Sequence, residues 1–196
     1  MLEAGFHDVP PGHVAAVVTH LEMSAPPDGP ARAAPEGVTL ERVPEPETGW
    51  YRDLFGRVGG HPWLWFSRLA MDDASLRAAL AGAEVHAVRR SGADVGIVEF
   101  DLRGDGTAEL AFFGLVPEAV GQGIGGWALD AGLRLGWGRG IARMDVHTCT
   151  FDHPAALGLY IRAGFVPVRR QVEVVADPRL AGVLPMDAAG HVPVIG

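Results

Sequence analysis

No lysine occurs anywhere in the chain: all sixteen basic residues are arginine, set against twenty-four carboxylates. The resulting formal charge of -8 excludes a protein that holds nucleic acid through its overall charge, because neutralising phosphates takes basic surface. The missing lysine, together with abundant Ala, Gly and Pro, reads as the coding bias of a GC-rich genome rather than a functional device. Cysteine occurs once, at Cys149, which excludes an internal disulfide and a multi-cysteine zinc site. No run approaches the ~20 apolar residues needed to cross a bilayer. The N-terminal MLEAGFHDVPPGH also lacks a basic region followed by an apolar one. The chain is therefore expected to be cytoplasmic, with neither membrane nor nucleic acid as a partner.

What is present is 48 % hydrophobic sequence over 196 residues, enough for one domain with a core of its own. HVAAVVTHLEM and VTLERV look like strands, and the proline-rich loop at 24–37 is expected to join them as a hairpin. ETGWYRDLFGRV and DDASLRAALAG carry apolar residues at helical spacing, and Asp72 or Asp73 can cap the second. Between them, Trp63, Trp65 and Phe66 read first as core packing and second as a pocket wall. EVHAVRR, VGIVEFDLR and TAELAFFGLV are joined by short Gly- and Asp-containing turns, which predicts an antiparallel meander. A helix, a strand at IARMDVHTC, a second helix and a closing strand at FVPVRRQVEVV follow, which requires one parallel crossover. The last residues, 176–196, show no periodicity and read as a C-terminal tail.

Four glycines fall between Gly121 and Gly126, and they satisfy G-x-G-x-x-G, the fingerprint of a dinucleotide-binding turn. That pattern needs its first glycine at the end of a strand and an acid about 20 residues on, at the end of the next. Asp145 has the distance but comes early in its strand, and Pro117 to Val120 make the turn too long, so a Rossmann-type enzyme is the lesser alternative. The physics that remains is anion binding: glycine-rich backbone leading into a helix brings several N–H groups to one point, reinforced by the helix dipole.

Leu115-Val-Pro117-Glu-Ala-Val120-Gly-Gln-Gly123-Ile-Gly125 resembles the loop of the GNAT superfamily of acyl-CoA N-acyltransferases, with Val120 in place of the usual Gln or Arg. His153-Pro-Ala-Ala156-Leu-Gly-Leu-Tyr160-Ile-Arg-Ala-Gly164-Phe165 is similar to a second family segment, with His153 in place of Asn. Elementary rules read the same stretch as a helix. Pro154 suits its first turn, Asp152 or His153 its cap, and Gly164 its end, with Ala156, Tyr160 and Gly164 on one face. The two motifs span roughly residues 109 to 165.

The resemblance implies an α/β fold with a mixed, mostly antiparallel sheet, one splayed parallel pair and flanking helices. It implies a single domain over 1–196, in which 1–37 is a strand plus proline-rich loop. It further implies an acetyltransferase that uses acetyl-CoA without a metal, takes a small-molecule or peptide amine, and forms a homodimer. A noncatalytic acyl-CoA-binding or sensing module on the same fold is the alternative.

Backbone of Gly121, Gln122, Gly123, Ile124, Gly125 and Gly126 would seat the pyrophosphate, with Gln122 making up for Val120. Leu115 and Val116 would pair with the pantetheine and the acyl oxygen, the Leu115 N–H acting as an oxyanion donor and Gly114 permitting a local bulge. His153 would lie beside the pantetheine arm. Tyr160 would protonate the leaving sulfur, and Glu109 would serve as base. Glu109 lies six residues before Leu115, so strand alternation is expected to put both side chains on one face. Glu99 and Asp101 read as solvated strand residues. His147, Cys149, Asp152 and His153 match no zinc spacing and are expected to pack beside the cleft.

Overall fold

The computed structural model describes residues 3–102 and 104–196. Arg103, which the sequence places at the end of the VGIVEFDLR strand, lies outside the described residues, as do Met1 and Leu2.

Seven strands form one sheet: β1 (His13–Met23), β2 (Val38–Val43), β3 (Ala83–Arg90), β4 (Ala93–Leu102), β5 (Thr107–Leu115), β6 (Arg143–Cys149) and β7 (Val166–Ala176). Their order across the sheet is β2-β3-β4-β5-β6-β1-β7. The helices are α1 (Thr48–Phe55), a three-residue α2 (His61–Trp63), α3 (Asp73–Ala81), α4 (Ile124–Trp137) and α5 (Ala156–Arg162), with a π-helical turn at Gly56–Gly60 between α1 and α2. Among the described residues no helix is long and apolar enough to cross a membrane.

The β3-β4-β5 meander follows from its turns. Ser91 at φ 49° and Gly92 at φ 83° make a tight two-residue reversal, and Gly104 and Gly106 supply positive φ at the next. Asp72 caps α3, its side chain accepting from the Ser75 N–H at 2.7 Å. The expected hairpin of β1 and β2 does not form. β1 pairs with β6 and β7, while β2 pairs with β3 at the far edge of the sheet. The proline-rich segment instead runs along α4. The Arg32 N–H donates to Asp130 at 3.0 Å, and Arg134 donates to the Gly29 carbonyl at 3.1 Å. Proline removes the donors that a hairpin ladder would need, so side chains of α4 hold this stretch in their place.

Among the described residues β5 and β6 are the one parallel pair. They run in register only from Thr107↔Arg143 to Glu109↔Asp145 and then part. β5 also carries an extra residue. Glu99 faces Phe112 and Phe100 faces Leu110, leaving Ala111 as a bulge. The expected bulge at Gly114 is thus found three residues earlier. Gly114 itself answers a close approach, since a Cβ there would stand 2.6 Å from Val58 of the π-helical turn.

The bulge also reverses the side-chain alternation, so the expected shared face of Glu109 and Leu115 is wrong. Glu109, Phe112 and Gly114 face α1 and the π-helical turn. Leu115 faces α4, where a Cβ on Gly125 would meet it at 3.6 Å. The larger core lies between these layers, with Tyr51, Leu54 and Phe55 on one side of the sheet and Leu129 and Leu133 on the other.

The segment after β7 is aperiodic but packed. Leu184, Ala188 and Ala189 cluster with Leu64, and the Ala189 N–H donates to the His61 carbonyl at 2.8 Å. Asp177 and Arg179, each 1 % exposed, form a buried ion pair beneath it.

Candidate active site

The parting of β5 from β6 opens a cleft of about 510 Å³. It is lined by Leu115, Gly121, Gly125 and Tyr160 and by Trp63, Trp65, Phe66 and Phe151, with Trp65 standing over Gly114 beside Leu115. The aromatic trio after the π-helical turn serves both expected roles: Trp65 and Phe66 pack against the core clusters, and all three rings line the cleft. Trp65 is fixed there by an indole N–H bond to Asp152 at 2.8 Å and by ring contacts with Phe55 and Phe112, each at 5.4 Å.

Beside Gly121 and Gly125, α4 starts without a side-chain cap. Gly123 occupies the N-cap at φ 78° and Gly121 sits at φ 80°, conformations that cost any other residue strain. The first N–H groups of the helix, at Ile124, Gly125 and Gly126, have no intrahelical acceptor and point into the loop. The Ile124 side chain is buried in the core, so only its backbone can serve a ligand.

Gln122 does not reach outward as expected. Its amide N donates to the Glu118 carbonyl and its amide O accepts from Arg90. These bonds tie the loop to the end of β3 and bring an arginine there that the sequence reading missed. Val116 is occupied as well, its N–H donating to Val95 and its carbonyl accepting from Ala119, both at 2.9 Å. Successive N–H groups of an extended strand alternate in direction, so the Leu115 N–H points away from β4, towards the open edge of β5.

Tyr160 lies on α5 at 6 % exposure and lines the cleft. Its ring meets Phe113 edge-on at 6.4 Å and Phe165 at 5.9 Å. Burial, with a smaller contribution from the Asp152 charge, raises the phenol above its ordinary pKa and keeps it protonated through neutral pH. Gly164 ends the helix at φ 107°. His153 accepts from the Ala155 N–H at 3.1 Å and so braces the turn before α5, while its ring meets Trp63 at 5.1 Å on the cleft wall. Asp152 is not the helix cap. It turns back to accept from Trp65, from the Thr148 hydroxyl at 2.7 Å and from the Cys149 N–H at 2.7 Å.

Glu109 does not line the cleft; His147 does. The His147 Nδ1 lies 3.0 Å from Glu109 Oε1, which leaves Nε2 for the cleft. That hydrogen bond, aided by the charges of Asp152 and Glu173, raises the histidine pKa. Asp145 and His147 are two residues apart on β6, and Asp145 pairs with Glu109 across the parallel ladder. That step could have been found from the sequence had the length of the parallel register been known.

Glu99 is fully buried rather than solvated. It accepts from the Tyr51 hydroxyl and from Arg68 Nη2, the latter at 2.5 Å. Asp101 is exposed at the end of β4. Burial, then the Asp152 charge, pushes the Cys149 thiol up to about 11. Among the described residues no three His, Cys, Asp or Glu are grouped to hold a metal ion.

Residues 46–165, more than half of the chain, match the family model described as the acetyltransferase (GNAT) family. The fold is similar to a GCN5-related N-acetyltransferase from Sphaerobacter thermophilus, with a TM-score of 0.60, 20 % identity and coverage of 90 % of this chain and 54 % of that one. It is also similar to a GCN5-related N-acetyltransferase from Kribbella flavida, with a TM-score of 0.54, 18 % identity and coverage of 87 % and 63 %. A tandem GNAT protein from the clavulanic acid biosynthesis pathway matches with a TM-score of 0.57, 18 % identity and coverage of 86 % and 54 %. At these identities the likeness is one of fold, and the chain spans only 54 % to 63 % of those proteins' lengths. No curated protein matches the sequence.

Proposed function

The chain belongs to the GNAT acetyltransferase family, and from that premise we propose that it transfers an acetyl group from acetyl-CoA to a primary amine by direct attack in a ternary complex. One observation carries this reading. The sheet parts between β5 and β6, and an uncapped glycine-rich helix start and a buried tyrosine both line the opening. We read the whole described chain as one domain of that family, since β1 and β7 sit in the same sheet as the meander.

The pyrophosphate lies against the backbone of Gly121, Gly123, Gly125 and Gly126, with Arg90 supplying the charge that Val120 lacks. The Leu115 N–H donates to the thioester oxygen as it becomes an oxyanion. His147 takes a proton from the entering ammonium and passes it to solvent. The free amine then attacks the carbonyl carbon, forming the C–N bond. On collapse the C–S bond breaks and Tyr160 protonates the sulfur, and the second nitrogen proton restores the phenol. Glu109 acts through His147, as a positioning residue.

CoA is expected to raise the melting temperature by mass action, with about 2.7 kcal/mol of added stability at a hundredfold excess over Kd. Gly123→Ala, forced into positive φ at the helix start, should lose most of that shift. Stabilisation by NAD and none by CoA would sink the proposal. Release of free CoA thiol with an amine present separates the enzyme from a sensing module.

His147 works as a base only when neutral, so kcat/KM should rise as pH passes its elevated pKa. Glu109→Gln removes the carboxylate that elevates it and should move this acid limb to lower pH. A limb that stays in place in the variant would show that His147 is not the base.

A further inference from the structure

The wall of the cleft selects among amines, an inference that rests on the acyltransferase reading. We propose that the acceptor is a monoamine attached to an apolar body of aromatic dimensions, its nitrogen at His147 and Glu173 and its body against Trp63, Trp65 and Phe66.

The argument is one of charges and faces. Leu115, Gly121, Gly125 and Tyr160 are taken by the donor, and Trp65 stands over Gly114 beside Leu115, so the aromatic wall borders the point where the acceptor must meet the acyl group. The same cleft is lined by Val14 and Ala16 of β1, Val175 of β7 and the rings of Trp63, Trp65 and Phe66. Trp65 is held by its bond to Asp152, and Trp63 by edge-on contacts with His153 at 5.1 Å and His191 at 5.4 Å, so the wall is preformed.

Two carboxylates line this space. Asp152 is occupied by Trp65, Thr148 and the Cys149 N–H. Glu173 is exposed, near enough to His147 to raise its pKa, and opposite Ala16 in the sheet. The acids that would have suited a polycation lie elsewhere, Glu99 buried against Arg68 and Asp101 at the exposed end of β4. A polyamine or aminoglycoside would press several cations against apolar faces where Glu173 is the exposed carboxylate and Asp152 is already held by protein donors, and the desolvation left uncompensated disfavours it. A monoamine matches its single charge to Glu173 and buries its body against the rings.

The test measures kcat/KM by thiol release at saturating acetyl-CoA with 2-phenylethylamine, tryptamine, ethylamine, spermidine and kanamycin. The two arylalkylamines are expected to exceed the others by tenfold or more. Trp63→Ala should raise KM severalfold more for tryptamine than for ethylamine. Spermidine or kanamycin as the better substrate overturns the acceptor class and leaves the acyltransferase intact. If no amine turns over, the acyltransferase reading fails. Calorimetry with the CoA-saturated protein then tests the amine selectivity of the cleft by itself: 2-phenylethylamine binding more tightly than spermidine upholds it, and the reverse order or no binding overturns it.

Discussion

Arg179→Ala should lower the unfolding free energy by roughly 3–5 kcal/mol, the range for breaking a buried ion pair and leaving one charge behind. Arg179 Nε and Nη2 donate to the two oxygens of Asp177 at 2.9 and 2.7 Å, and Nη1 donates to the carbonyls of Ala188 and Val192 at 3.1 and 2.8 Å. One guanidinium therefore neutralises a carboxylate and closes the C-terminal turns. Lysine cannot reproduce that fork of donors, so Arg179→Lys should be nearly as damaging.

Removing both partners, as Asp177→Ala with Arg179→Ala, takes the stranded charge away. The double variant should lose less than the two single losses added together. Hydrogen bonds from Arg179 hold the Asp177 carboxyl below its ordinary pKa. A depressed carboxyl contributes stability that is present above its unfolded pKa and is lost as pH falls through the folded one. The urea midpoint of the wild type should therefore drop on acidification in a way the double variant does not share. Single variants within ~1 kcal/mol of wild type would refute the assignment.

The ion pair bears on the site because Asp177 precedes Pro178, which lines the cleft, and the turns it closes carry Leu184 and Ala188 against Leu64. None of this was legible in the sequence. Two opposite charges two residues apart in an aperiodic tail carry no local sign of burial, and only the packing of residues brought from far away buries them. The meander and the helices after it were legible because short turns, helical spacing and capping are local.

Pairings were not. β1 inserts between β6 and β7, a choice made by distant partners, and the proline-rich segment that follows it carries no sign of lying along α4. The site shows the same division. The glycine-rich helix start and the small face around Tyr160 are read from consecutive residues. The exchange of Glu109 for His147 at the cleft depends on where the parallel register ends, at Glu109↔Asp145, which no local pattern announces.

Tyr160→Phe is expected to lower kcat about 10²- to 10⁴-fold, the usual worth of a positioned general acid, while the shift in melting temperature with CoA stays near that of the wild type. Phenylalanine keeps the ring contacts with Phe113 and Phe165, so the packing survives and only the proton is lost. The raised pKa of the buried phenol decides its direction of action, since a group protonated throughout the neutral range can give a proton to sulfur but cannot first take one from the entering ammonium. Leaving-group chemistry then separates this role from a structural one. An acetyl thioester of a more acidic aryl thiol expels a thiolate that needs no proton, so the deficit of Tyr160→Phe should shrink with that donor. A deficit equally large with both donors would mean that the hydroxyl holds the site together rather than protonating the leaving group.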